Sequence, residues 1–110
     1  MLDEHTARIR ALNDRLRGSL TGGRILITRG IAALGADAAA EAWRGVANFT
    51  DFNPSNDPYG EHDFGAFELA GAQIFWKIEY LDTSFEGAAL DPADEATCAR
   101  VLTIMLAEEY

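Results

Sequence analysis

Hydrophobic positions recur along this chain with two different periods, and the changes of period mark its elements. His5, Ile9, Leu12 and Leu16 stand at i, i+4, i+7 and i+11, a narrow stripe that predicts a helix from Leu2 to Arg17, ended by Gly18. After Gly22-Gly23, the branched residues of Arg24-Ile25-Leu26-Ile27-Thr28 read as a short strand. Helical spacing returns at Ala39, Ala42, Trp43, Val46 and Phe49, which predicts a second amphipathic helix over 36–49 with Trp43 in the core.

Thr50–His62 follows, a polar run with two prolines, two asparagines and a glycine, a loop that is long for a domain of this size. Phe64–Leu69 and Ile74–Tyr80 then alternate with period two about a turn centred on Ala70-Gly71 or Gly71-Ala72. In either register Phe67, Leu69, Ile74, Trp76 and Ile78 share a core face. Phe64, Glu68, Phe75, Lys77 and Glu79 lie opposite, where Lys77 can pair across the ladder with a carboxylate. At Asp91-Pro92-Ala93-Asp94 an N-cap and a first-turn proline announce a third helix. Its stripe of Cys98, Val101, Leu102, Met105 and Leu106 is expected to pack on the hairpin. The order α-β-α-β-β-α predicts a single α+β domain over 1–110, a three-stranded, largely antiparallel sheet with helices on one face.

Charge sharpens this picture more than composition does. The 110 residues carry 18 acids against 9 bases, net −9. Residues 1–44 hold seven arginines and five acids, whereas residues 45–110 hold thirteen acids against Lys77 and Arg100 alone. Such a body repels phosphates, so direct nucleic-acid binding and docking to an anionic membrane are not expected. On the first helix Glu4 with Arg8, and Arg10 with Asp14, stand four apart and can pair on a solvated face. The single Cys98 cannot form an internal disulfide and reads as a buried thiol. Met1-Leu2-Asp3-Glu4-His5 lacks the basic and apolar regions of a signal peptide, so the expected compartment is the cytoplasm.

Candidate chemistry gathers at Asn56-Asp57-Pro58-Tyr59-Gly60-Glu61-His62-Asp63. Glu61 and Asp63 flank His62, and two carboxylates beside an imidazole would favour its charged form and orient it as an acid or base. The same string is also turn chemistry: Asn and Asp bond nearby backbone, Pro fixes φ and Gly supplies positive φ. The weak catalytic candidates are therefore His62, Glu61 and Asp63, and the binding candidates are Asp57, Tyr59, Glu61, His62, Asp63, Lys77 and Asp82. A magnesium or calcium site could draw on Asp57, Glu61, His62, Asp63 and Asp82, but the spacing fits no EF-hand and there is no HExxH, so no metal or cofactor is expected. A metal nuclease of the (Asp/Glu)-x-Lys type needs an acid two residues before Lys77, where Phe75 stands. Ser19, Ser55 and Ser84 lie in no G-x-S-x-G motif.

The strings NDPYGEHDFG (56–65), FWKIEYLD (75–82) and DPADEATCARVLTIMLAEEY (91–110), with ALNDRLR (11–17) and ILITRGIAAL (25–34), resemble a family of small bacterial proteins of unknown function. The family's pattern reads FWKIDYYD where this chain has Glu79 and Leu81, leaving Lys77, Tyr80 and Asp82 in place. The resemblance implies a genetic setting among plasmids and integrated mobile elements, which is context and not a mechanism.

Two classes of function follow. The first is a non-enzymatic protein that binds a basic or nucleic-acid-handling protein, such as a restriction or CRISPR component, with carboxylates where that partner expects phosphates. The second is a small metal- or His-dependent hydrolase using Glu61, His62 and Asp63. Nucleic-acid enzymes need a basic approach surface that residues 45–110 lack, so binding is the first reading, with self-association left open.

Overall fold

The computed structural model describes residues 2–110, and Met1 of the N-terminal run lies outside them. Asp3 opens α1 (Glu4–Ser19) as its cap, its carboxylate accepting the Thr6 N–H at 2.7 Å. The helix runs through Gly18 instead of stopping there, and Leu20 ends it in the left-handed region at φ 61°. β1 (Arg24–Ile27) leads directly into α2 (Arg29–Ala33), a single turn capped by Thr28, and then α3 (Ala36–Ala47). β2 (Phe64–Leu69) and β3 (Ala72–Leu81) form the expected hairpin. Its turn centres on Ala70-Gly71, both at positive φ, as a tight two-residue turn matched to strand twist requires.

The segment predicted as a third helix is a strand, β4 (Ala99–Leu106), followed by a 3₁₀ turn at Ala107–Glu109. Asp91 caps a turn, accepting the Ala93 N–H, with no helix behind it. β4 is the interior strand of a four-stranded sheet in the order β1-β4-β3-β2, parallel to β1 and antiparallel to β3. The sheet is therefore mixed and four-stranded, where three largely antiparallel strands were expected. Val101, Leu102, Met105 and Leu106 do not pack on the hairpin as a helical stripe. Leu102 and Leu106 stand beside Ile78 and Ile74 within the sheet, while Val101 and Met105 point to its other face.

All three helices cover one face. There Ile74, Trp76, Ile78, Leu102 and Ile104 pack with Leu16, Ile31, Ala42, Val46 and Phe49. Trp43 is only half-buried, and α3 ends at Ala47, so Phe49 reaches the core from the following loop. On the opposite face Phe64 and Phe75 meet the ring of Tyr110 edge-on at 6.3 and 5.6 Å. Among the described residues no helix is long and apolar enough to cross a membrane.

Candidate functional site

The loop of residues 50–63 is built from its own side chains. Asn53 Oδ1 accepts the Ser55 and Asn56 N–H groups, Asn56 Nδ2 donates to the Asp51 carbonyl, and Asp57 Oδ1 accepts the His62 N–H at 3.0 Å. His62 itself takes φ 57°, a left-handed conformation that this network holds in place. Its ring lies flat on Phe52, with centroids 3.7 Å apart and planes 4° from parallel.

Two carboxylates do face that ring, but they are Asp14 and Asp57, not the sequence neighbours Glu61 and Asp63. Asp14 Oδ1 lies 2.9 Å from His62 Nδ1 and also accepts Arg17 Nη2 at 2.9 Å. An ionised carboxylate only accepts, so Nδ1 carries the hydrogen. Nε2 stands 3.7 Å from Asp57 Oδ2, beyond hydrogen-bond range. Arg17 reaches the other members of the cluster, its guanidinium 5.2 Å from the Phe52 centroid and 5.0 Å from that of Trp76. Asp14 thus clamps an imidazole and a guanidinium that both rest on Phe52.

Glu61 and Asp63 serve a second cluster and the sheet. Tyr80 donates to Glu61 Oε1 at 2.8 Å, and Asn13 Nδ2 donates to both the Tyr80 oxygen and the Glu61 carbonyl. Behind them the buried Arg100 donates to Asn13 Oδ1 at 2.7 Å and to the Pro92 carbonyl. Burial pushes the Tyr80 hydroxyl far above its ordinary value, reinforced by Glu61 and opposed by Asn13. Burial likewise pulls Arg100 down and raises the Cys98 thiol, which sits 3.5 Å from Arg100 Nη1. Asp63 accepts the Ile78 N–H through its carbonyl, and its carboxyl is raised by burial and then by the nearby Glu61.

The remaining candidates lie apart. Lys77 is on the open face of the sheet, between Phe64 and Thr103 of the adjoining strands. It pairs with Glu79 of its own strand at 3.5 Å, not across the ladder. Asp82 closes its own turn, accepting the Ser84 and Glu86 N–H groups. Tyr59 is 78% exposed at the rim of a cleft of about 450 Å³. Leu2, Arg10, Phe52, Asp57 and His62 also line that cleft. Among the described residues no three His, Cys, Asp or Glu side chains are placed to hold a metal ion. Sequence reading missed Asp14, Phe52, Asn13 and Arg100.

The arginines of α1 do not form the i,i+4 pairs their spacing allows. Arg8 and Arg15 both reach Glu95 in the turn before β4, Arg10 Nε donates to the Gly60 carbonyl at 2.7 Å, and Arg17 holds Asp14 and the carbonyls of Val46 and Phe49. They pin the 50–63 loop, the end of α3 and the 91–97 turn to the helix. The chain matches the family described as Protein of unknown function (DUF3768) over residues 27–109, about three quarters of its length. No curated protein and no solved structure shows a significant match.

Proposed function

Because the chain belongs to DUF3768, a family of unknown function, we propose its role from its own side chains. It is a small acidic accessory protein that binds and occupies a basic, nucleic-acid-handling protein of the restriction or CRISPR type, in the cytoplasm of a cell carrying a mobile element. The observation that carries this reading is the unequal use of charge. Arg8, Arg15 and Arg17 are paired with Glu95 and Asp14, and Arg100 is buried against Asn13, which leaves Arg10, Arg29 and Arg44 without an ion pair among the described residues. Arg24 lies 4.1 Å over the ring of Phe85. Asp37, Glu41, Asp51, Glu68, Glu86, Asp94 and Glu108 are exposed and form no ion pair among the described residues. The outward charge is therefore mostly carboxylate, the sign DNA presents about every 1.7 Å along its axis.

Capture of partners from the native host, followed by a salt titration of the recovered complex, tests the reading. Binding to a basic protein should weaken steeply as salt rises, and gel shifts with duplex and single-stranded DNA should show no complex at physiological salt. Tight DNA binding, or a partner held equally at low and high salt, would overturn it.

The His62–Asp14 contact favours a second reading, a His-dependent hydrolase. Asp14 orients the imidazole through Nδ1, which leaves Nε2 as an acceptor able to activate water beside the cleft. Hydrolysis of a phosphoester or ester panel that disappears in His62→Gln would favour this reading over the first.

A further inference from the structure

The cleft between α1 and the 50–63 loop has an uneven hydrogen-bonding balance. Several of its acceptors are engaged within the protein. The carbonyls of Asn53, Asp57 and Gly60 receive Asp57 N–H, Gly60 N–H and Arg10 Nε, and Asn53 Oδ1 receives two backbone N–H groups. The Asp57 side chain is 6% exposed, with one oxygen on the His62 N–H and the other facing the His62 ring. Three donor nitrogens of the cleft's side chains are not engaged. Among the described residues, neither terminal nitrogen of Arg10 nor Asn53 Nδ2 has a hydrogen-bond partner, and Arg10 forms no ion pair.

Arg10 is also held still. Its Nε bond to Gly60 fixes the guanidinium plane, and Gly60, at φ +73°, carries no Cβ that would stand 3.0 Å from Nη2. A fixed fork of two N–H donors matches the two oxygens of a carboxylate. The rest of the lining is apolar or flat, formed by Leu2, Phe52, Pro54, Pro58 and the Tyr59 ring. The volume of about 450 Å³ falls within the range of small-ligand pockets. A doubly charged phosphate would meet Asp57 and a chain of net −9 with a single arginine to offset them, so a monoanion fits better.

We propose that this cleft seats a monocarboxylate with an apolar ring, its oxygens on the terminal nitrogens of Arg10 and its ring against Phe52, Pro54 and Pro58. The seat is independent of the basic-partner reading, which concerns the outer carboxylates and a protein ligand. Two sources share this chemistry: a free small acid and the C-terminal carboxylate of a peptide ending in an aromatic residue.

The test is an NMR titration of the full chain with phenylacetate, its neutral twin phenylacetamide, phenyl phosphate, and acetyl-Gly-Phe as free acid and as amide. The expected result is that phenylacetate shifts the Arg10 Nε–H and the amides of Asn53, Tyr59 and Gly60. The two amides should bind at least about tenfold more weakly than their acids, the size of one lost charge-assisted hydrogen bond. Arg10→Gln should lose phenylacetate to a similar degree. Tighter binding of the peptide acid than of phenylacetate assigns the natural ligand to a chain terminus, and the reverse assigns it to a free acid. Equal affinity for acid and amide, phenyl phosphate binding as tightly as phenylacetate, or no shift in the cleft overturns the proposal. Should Arg10→Gln fail to fold, the acid and amide comparison on the unaltered protein still decides.

Discussion

Trp76 is fully buried, enclosed by Phe49 at 5.6 Å, Phe52 at 6.2 Å and the Arg17 guanidinium, with Gly65 directly opposite across the ladder. Trp76→Ala should cost about 3–5 kcal/mol in urea melts, because the space it leaves is walled by residues fixed from several elements. A Cβ at Gly65 would collide with the indole nitrogen, so Gly65→Ala should also destabilise although it adds only one methyl. At the loop, His62→Ala removes the Phe52 stack and one of the two groups on Asp14. A loss of about 2 kcal/mol is expected, with raised amide exchange confined to residues 50–63. Trp76 was legible in the sequence because strand alternation alone places it inward. The partners of His62 were not, since Asp14 is 48 positions away and nothing local marks the pairing. Glu61 is taken up by the Tyr80 hydroxyl, and the carboxylates at the His62 ring are Asp14 and Asp57.

Elements whose faces differ were readable, and the element whose faces match was not. The hairpin showed clean alternation because one side of it meets helices and the other is half wet. β4 has apolar neighbours on both faces, Leu102 and Ile104 on one and Val101 and Met105 on the other, so its run carries no period of two. The same residues happen to fit a helical stripe, and Asp91-Pro92 imitates a helix start. The single-turn α2 is too short to show any period at all.

What secures α2 is Glu109, whose carboxylate accepts the Thr28 hydroxyl at 2.6 Å, the Leu106 N–H at 2.8 Å and the Gly30 N–H at 3.1 Å. These donors hold the Glu109 carboxyl below its ordinary value of 4.5, the Thr28 hydroxyl first among them. A depressed folded value means the clasp stabilises fully above pH 4.5 and fades as pH falls through the folded value. Melts between pH 6 and pH 3 should therefore fall further for the wild type than for Glu109→Gln. Asp63 has the opposite sign: its raised carboxyl is a strain at neutral pH that eases on acidification.

For the molecule as a whole, the charge asymmetry that the sequence shows along its length becomes an asymmetry between inside and outside. Arginines of α1 tie loops together, and carboxylates are left facing outward, which is the basis for expecting a salt-sensitive protein complex. The position of β4 has a further consequence, for the timing of folding. It is the last strand in the chain and yet lies between β1 and β3, so Arg24 finds its sheet partner only at Val101. While the chain is being synthesised, β1 has nothing to pair with, and the β2–β3 hairpin exposes the edge that β4 will cover. Hairpins standing alone are marginal in water, so the nascent protein is expected to stay open until β4 has been made, then to close in one cooperative step. Closure over so long a span raises the contact order and slows the search, placing refolding in milliseconds to seconds and not microseconds. Stopped-flow mixing should show one phase by Trp fluorescence, and chains ended before Ala99 should remain unfolded and sensitive to protease.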